Sequence, residues 1–143
     1  MDYKQPIEKR MTKKANVAEM ACEKLLKSRK IDFTKFGFDC WKVSVEQFMK
    51  VPAPIRNTPD FVCISDTAVF LECKGFKNVL KIKEDDLANY KFWNNFMPLH
   101  FFFYDCVNKK HHFMSYKKLR DKILLAEIDV YPDNNKTYYK III

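Results

Sequence analysis

Two apolar segments, residues 60–64 (DFVCI) and 68–74 (AVFLECK), constrain the fold of this chain more than any other feature. Both are rich in β-branched and aromatic residues, and only Ser65, Asp66 and Thr67 separate them. This pattern predicts two antiparallel strands joined by a short loop. Because the apolar character is nearly continuous, we expect the strands to be central in a sheet and buried on both faces.

Three ionisable residues, Asp60, Glu72 and Lys74, interrupt these apolar strands. Side chains alternate between the two faces of a strand, so Glu72 and Lys74 point to one side and Cys73 to the other. If all three loop residues form the turn, Asp60 lies opposite Glu72 with their Cβ atoms about 5 Å apart. A two-residue loop would shift the register and separate the two carboxylates.

The chemistry of this cluster suits a divalent cation. Adjacent carboxylates repel each other unless a cation bridges them, and oxygen ligands favour Mg²⁺ or Mn²⁺. A lysine two residues further on can orient an attacking water or stabilise the charge that develops on a phosphate. The alternative is a cross-strand ion-pair set on a half-exposed sheet, which the apolar neighbours disfavour. We therefore expect a site for phosphodiester hydrolysis.

The same residues resemble the signature of a known family. Pro59-Asp60 followed by Glu72-Cys73-Lys74 resembles the motif of the PD-(D/E)xK nuclease superfamily. The longer strings TPDF (residues 58–61) and FLECKG (residues 70–75) are most similar to bacteriophage endonuclease I, a Holliday-junction resolvase. The likeness extends over roughly residues 15–105.

This resemblance implies a restriction-endonuclease-like three-layer α/β/α domain with a central mixed β-sheet. It also implies that Asp60 and Glu72 bind Mg²⁺ (or Mn²⁺) together with the backbone carbonyl of Cys73. Lys74 would then assist the nucleophilic water. A carboxylate on the first helix would be the fourth catalytic and metal-binding residue; Glu19 matches it, and Glu23 is the alternative.

The sequence departs from some relatives of that family. Archaeal-type resolvases often carry a glutamine on the helix after the motif, whereas the only glutamines here are Gln5 and Gln47. The corresponding predicted helix offers Asp86, Asn89, Tyr90 and Lys91 instead. A fifth active-site residue is therefore left unassigned.

The excess of basic residues favours a polyanionic partner. The chain has 26 Lys+Arg against 18 Asp+Glu, a net charge of +8, and lysines that neutralise phosphates release counterions. We expect nucleic-acid contacts from Lys77, Lys81 and Lys83 after the motif, and from Lys13 and Lys14. The last two belong to residues 1–14, which suit a flexible solubilising arm and a phosphate-contacting arm equally well.

These observations predict a Mg²⁺-dependent deoxyribonuclease, with branched DNA as the first substrate candidate. A homodimer is expected, because a junction resolvase must cut two strands symmetrically. The competing class is a non-catalytic DNA-binding or assembly module on the same fold. A restriction-type or exonucleolytic enzyme is the third alternative.

Several other classes are excluded or disfavoured. Two glycines cannot build a Gly-rich phosphate loop, and five scattered cysteines without a CxxC pair indicate buried, reduced thiols. No apolar run is long enough to span a bilayer and no apolar signal core is present, so we expect an intracellular protein. His111-His112 and the Phe101-Phe102-Phe103-Tyr104 run are interpreted as strand residues, in preference to metal binding and base stacking.

The remaining pattern predicts one domain over residues 15–143, an α/β sandwich around a mixed sheet. Before the strand pair we expect a helix over residues 16–29 with Asn16 as N-cap, extended structure over 31–48 and a proline-stiffened loop over 51–54. After it we expect a helix over 84–95, strands over 99–104 and 111–114, and a helix over 115–128 with Leu119, Ile123 and Leu124 inward. A turn over 132–135 and a β-prone segment over 137–143 complete the chain.

Overall fold

The structure of the protein is a computed structural model that describes the backbone of residues 7–37 and 44–143, and the side chains of residues 17–37 and 44–143. In that part of the chain the helices are α1 (Ile7–Ser28), α2 (Val45–Met49), α3 (Ala53–Arg56), α4 (Glu84–Asn94) and α5 (Tyr116–Leu124). The strands are β1 (Asp32–Lys35), β2 (Phe61–Ile64), β3 (Ala68–Phe76), β4 (Leu80–Lys83), β5 (Leu99–Asp105), β6 (Lys110–Ser115), β7 (Glu127–Val130) and β8 (Thr137–Ile141). None of the helices described is long and apolar enough to cross a membrane.

A five-stranded mixed sheet lies at the centre of the fold, in the order β1-β2-β3-β5-β6. β3 and β5 are parallel, and every other neighbouring pair in this sheet is antiparallel. This confirms the mixed α/β class with a central mixed sheet. A second, antiparallel sheet of three strands, β4-β8-β7, was not predicted as a separate unit.

The hairpin between β2 and β3 has the three-residue loop that the sequence allowed. Ile64 pairs with Ala68 and Phe61 pairs with Leu71, so Asp60, one residue before β2, lies opposite Glu72. β3 continues beyond the end of β2 and pairs with β5 as far as Phe76. The site region therefore lies directly before the first residue of β2, beside the part of β3 that β2 does not pair with.

The two faces of the central sheet carry different layers. On one face, Phe61, Leu71 and Phe102 pack against Cys22 and Leu26 of α1. On the other, the aromatic residues Phe70, Phe101 and Phe103 form a core with side chains of α4, α5 and the three-stranded sheet. Phe101, Phe102 and Phe103 are at most 1% exposed, which confirms the interpretation of this run as a buried strand.

Two sequence-based predictions are wrong in the first half of the chain. α1 begins at Ile7 instead of Asn16, because residues 7–14 are mostly good helix formers although they lack an apolar stripe. Residues 45–49 form α2 instead of a strand; Ser44 caps it by accepting a hydrogen bond from the backbone N–H of Gln47 (3.1 Å). Residues 38–43, where part of that strand was expected, lie outside the described residues.

The proline-rich segment also differs from the prediction. Residues 53–56 form the short helix α3 instead of a loop, with Pro52 as N-cap residue and Pro54 in its first turn. Proline is tolerated there because the N–H groups of a first turn have no intrahelical partner. The carbonyl of Pro54 accepts a hydrogen bond from the indole of Trp93 (2.9 Å), which connects α3 to α4.

The last helix ends earlier than its pattern suggested. Ser115 caps α5 as predicted, by accepting a hydrogen bond from the N–H of Lys118 (3.1 Å), and Leu119 is buried. Leu124 is 83% exposed, however, and the next strand is β7. Residues 127–130 alternate charged and β-branched side chains, which is the period of a strand, and they pair with β8.

The contrast between two leucines near α5 can be tested directly. Leu119→Ala removes a fully buried side chain and should lower the free energy of unfolding by about 2–5 kcal/mol. Leu125→Ala is the matched control, because Leu125 is 91% exposed and its loss should change stability by less than about 0.5 kcal/mol. Urea denaturation followed by circular dichroism measures both; equal effects would contradict the position of α5.

Candidate functional site

Asp60 is held by its backbone and by its side chain. Its carbonyl accepts hydrogen bonds from the N–H groups of Phe36 (2.9 Å) and Gly37 (3.4 Å), which follow β1. Its carboxyl Oδ2 accepts a hydrogen bond from the backbone N–H of Cys73 at 2.7 Å. The side chain of Asp60 therefore bridges the gap between the end of β2 and the continuing strand β3.

Asp60 and Glu72 are in direct contact. Their carboxyl groups lie within hydrogen-bonding reach of each other, and a shared hydrogen bond forms when one of them holds a proton. Burial raises the pKa of Asp60 well above its usual value, and the charge of Glu72 adds to the effect. Burial also raises the pKa of Glu72 to about 7, although the hydrogen bond to Asp60 and the charge of Lys74 oppose the rise.

Glu19 on α1 is the third carboxylate of the cluster. Burial raises its pKa to about 8; the charge of Asp60 and a hydrogen bond to it act in the same direction, and Lys35 opposes them. Glu23 forms an ion pair with Lys27 instead (3.2 Å). Of the two candidate carboxylates on the first helix, the structure thus brings Glu19 into contact with Asp60.

The backbone of Cys73 presents its carbonyl to the same location. In a strand, the N–H and C=O of one residue point to the same side. The backbone groups of Phe70 and Phe76 point towards β5: the N–H of Phe70 donates to the Pro98 carbonyl (2.8 Å), and the Phe76 carbonyl accepts from the N–H of Cys106 (2.9 Å). Successive residues of a strand alternate between the two sides, and Cys73 is three residues from each of these two. Its backbone groups therefore point towards β2. Since β2 begins only at Phe61, opposite Leu71, the Cys73 carbonyl lies beside Asp60.

Helix α4 contributes two residues that the sequence offered without assigning. The charge of Asp86 raises the pKa of Glu72, so Asp86 is an electrostatic neighbour of the cluster. Tyr90 is 5% exposed, and its pKa is raised by burial first and then by the charges of Asp86, Glu72 and Asp60. Positions 86 and 90 share one helix face. The four-residue spacing of Asp86 and Tyr90, on a helix predicted soon after the motif, is the sequence signal that could have identified both residues.

The basic residues predicted within and after the motif lie on β3, directly after it, and on β4. Lys74 is half-buried beside Glu72, and Lys77 is exposed directly after β3. Lys81 lies on the second sheet with its ammonium 5.0 Å from the ring centroid of Tyr138, and the ammonium of Lys83 is 6.0 Å from that of Tyr131.

Two further lysines of the predicted nucleic-acid surface, Lys13 and Lys14, belong to α1, but their side chains lie outside those described. Lys35, which the sequence did not single out, is near enough to lower the pKa of Glu19. The nucleic-acid contacts of all these lysines stay predictions.

Of the described cysteines, Cys22 and Cys63 fit the interpretation as buried thiols, whereas Cys73 and Cys106 are only partly buried. Cys22 and Cys63 are free and buried, and burial raises the pKa of Cys63 to about 11, so this thiol stays protonated and unreactive. His111 belongs to β6, where its ring stacks on Phe102 with centroids 5.7 Å apart.

The donor set suits a hard divalent cation. It consists of carboxylate oxygens and a backbone carbonyl, the ligand types that Mg²⁺ and Mn²⁺ prefer. Among the described residues, however, no group of three or more His, Cys, Asp or Glu side chains is already arranged to hold a metal ion. Asp60 instead lies within hydrogen-bonding reach of both Glu19 and Glu72, and a proton and a cation would compete for these oxygens.

No protein-family model matches this chain, and no curated protein is significantly similar to it.

The raised carboxyl pKa values predict an unusual pH dependence of stability. With EDTA present, Glu72 and Glu19 stay protonated in the folded protein up to pH values of about 7 and 8, whereas in the unfolded chain they ionise near 4.5. Their contribution to stability is complete below pH 4.5 and is lost as the pH rises through 7 and 8. We expect the melting temperature to fall by roughly 5 °C between pH 5 and pH 9.

Glu72→Gln should flatten this dependence, because the amide does not titrate. Glu127→Gln is the control, since the Glu127 side chain is 83% exposed. Its only ion pair described is a long one, with 3.9 Å between its Oε2 and the Nζ of Lys140. Differential scanning calorimetry across the pH range gives the answer. A wild-type melting temperature that rises steadily from pH 5 to pH 9 would contradict the described electrostatics.

Proposed function

We propose that this protein is a metal-dependent nuclease that hydrolyses DNA phosphodiester bonds. The observation that supports this best is the convergence of Glu19, Asp60 and Glu72 from three separate elements, with Lys74 beside Glu72. Carboxylates that raise each other's pKa destabilise the fold at neutral pH unless a cation compensates them, and strongly perturbed groups of this kind cluster at functional sites.

In this proposal Asp60, Glu72 and the Cys73 carbonyl hold Mg²⁺ or Mn²⁺, and Glu19 binds the ion's waters or a second ion. When bound, such a cation lowers the pKa of a coordinated water and neutralises charge on the phosphate. The Cys73 N–H keeps the Asp60 carboxylate oriented. The Lys74 ammonium orients the attacking water or stabilises the negative charge that develops on the phosphate. By analogy with the family, the products carry 5′-phosphates.

The restriction-endonuclease-like fold is part of the same proposal. The hairpin that carries the motif, the parallel neighbour β5, and helices on both faces of the sheet are compatible with it. The three-stranded sheet on the α4 face is an addition to the three-layer arrangement expected from the resemblance.

Glu72→Ala and Lys74→Ala should reduce Mg²⁺-dependent DNA cleavage by about 100-fold or more, because each removes a group that acts on the reacting phosphate. DNA affinity measured by fluorescence anisotropy should remain within a few-fold of wild type. EDTA should abolish cleavage, and Mn²⁺ should restore it. Glu127→Gln serves as the active control. If the wild-type protein cuts no nucleic acid with either metal, the proposal is wrong and a non-catalytic DNA-binding module becomes the better description.

The substrate is expected to be branched DNA, cut by a homodimer. The net charge of +8 supports a nucleic-acid partner, and the motif resemblance supports a junction substrate. Among a four-way junction, a linear duplex and a single strand, each end-labelled, the junction should be cleaved fastest, with paired nicks. A ladder from one end would indicate an exonuclease, and preferred cutting of one duplex sequence would indicate a restriction-type enzyme.

A further inference from the structure

Three exposed phenyl rings form a continuous surface close to the candidate site, which we name the aromatic shelf: Phe36, Phe92 and Phe96. They are 40%, 38% and 69% exposed, respectively. Trp93 lies beneath them, with its ring centroid 5.6 Å from that of Phe36 and 5.3 Å from that of Phe92. Phe92 and Phe96 are 5.2 Å apart at an interplanar angle of 66°.

The shelf is connected to the carboxylate cluster through the backbone and through the core. The N–H of Phe36 donates to the Asp60 carbonyl (2.9 Å). The Phe36 ring packs on Phe70 with centroids 5.2 Å apart, and Phe70 lies on the same face of β3 as Glu72, two residues before it. A nucleic-acid strand with a phosphate at Asp60 and Glu72 would therefore place neighbouring nucleotides over these rings.

The shelf rests on an anchored side chain. Trp93 is buried and anchored by its hydrogen bond to the Pro54 carbonyl (2.9 Å). Phe92 and Phe96 are spaced four residues apart around the end of α4, and the N–H of Phe96 donates to the Trp93 carbonyl (3.0 Å). Rings fixed in this way lose little conformational entropy when a ligand stacks on them.

The charge around the shelf matches a polyanion. Lys35 neighbours Phe36 in sequence but pairs with Phe61 and lies on the α1 face, where it lowers the pKa of Glu19. On the side of the shelf itself, Lys91 precedes Phe92 and is exposed. Residues 87–98 (LANYKFWNNFMP) contain that one lysine and no carboxylate. Exposed aromatic rings alternating with cations are the arrangement by which proteins bind single-stranded nucleic acids, with bases on the rings and phosphates on the cations.

A second exposed apolar surface differs in this respect. It is formed at the end of α5 and on β7 by aliphatic side chains, including Leu124, Leu125 and Ile128. Its exposed apolar side chains are aliphatic, and Glu127 and Asp129 accompany them, so this surface offers no rings for stacking. Of the two surfaces, only the shelf has the chemistry that binds unpaired bases.

We propose that the aromatic shelf is a subsite for unpaired bases that flank the phosphate bound at the carboxylate cluster. This inference rests on the proposed function and narrows its substrate class to DNA with unpaired nucleotides beside the cut, such as flaps, opened junction arms or single strands. A fully paired duplex keeps its bases stacked internally and cannot use the rings.

The test measures binding alone, in EDTA, so that no cleavage occurs. Oligonucleotides with 2-aminopurine in a single-stranded flap report stacking by quenching of their fluorescence, and a blunt duplex with the same label is the reference. Phe92→Ala and Phe96→Ala should each weaken flap binding roughly tenfold and reduce the quenching, and both should leave duplex binding unchanged. Phe113→Ala is the matched control, because Phe113 is 41% exposed but lies on β6, on the α1 face of the sheet.

The possible outcomes separate this inference from the proposed function. Loss of flap binding in both shelf variants, with the control unchanged, supports the shelf even if the protein cuts no DNA. Unchanged flap binding in correctly folded variants overturns it, even if the protein is an active nuclease. If the variants instead convert a dimer to monomers in sedimentation analysis and bind flaps normally, the shelf is an interface between two copies of the chain, and the inference is wrong.

Discussion

The candidate site depends on one structural constraint, the three-residue loop that fixes the pairing of β2 with β3. This register brings Asp60 opposite Glu72 and allows the Asp60 carboxyl to accept the Cys73 N–H at 2.7 Å. A shift of one residue would turn Glu72 towards α1 and move Cys73 to the other face. The short loop is therefore responsible for the position of the carboxylates as well as for the hairpin.

The cluster then reflects a balance between burial and charge. Glu72 and Glu19 acquire pKa values of about 7 and 8, because apolar layers cover the sheet and because each carboxylate is near another. At neutral pH the cluster holds protons, and these protons occupy the oxygen atoms that a cation would use. Its protonation and any metal binding are thus linked, and a higher pH favours the cation.

The surroundings of the cluster divide into regions of different chemistry. Lys74 and Lys77 follow Glu72 along the chain, where a phosphate backbone would meet positive charge. The aromatic shelf begins beside Asp60, and Trp93 and Phe70 support it from the core. This arrangement offers cations to phosphates and rings to bases, which is the division of contacts that a strand with unpaired nucleotides requires.

The sequence by itself determined the elements whose patterns are local. The apolar runs of residues 60–64 and 68–74 specified the hairpin, and the strand period specified the shared face of Glu72 and Lys74. The Ser115 cap marked the start of α5. Only the tertiary structure decided that Glu19 contacts Asp60 while Glu23 pairs with Lys27, and that Asp86 and Tyr90 face Glu72. The physical reason is that strand period and loop length act between neighbours in the chain, whereas these contacts depend on how α1 and α4 pack on opposite faces of the sheet.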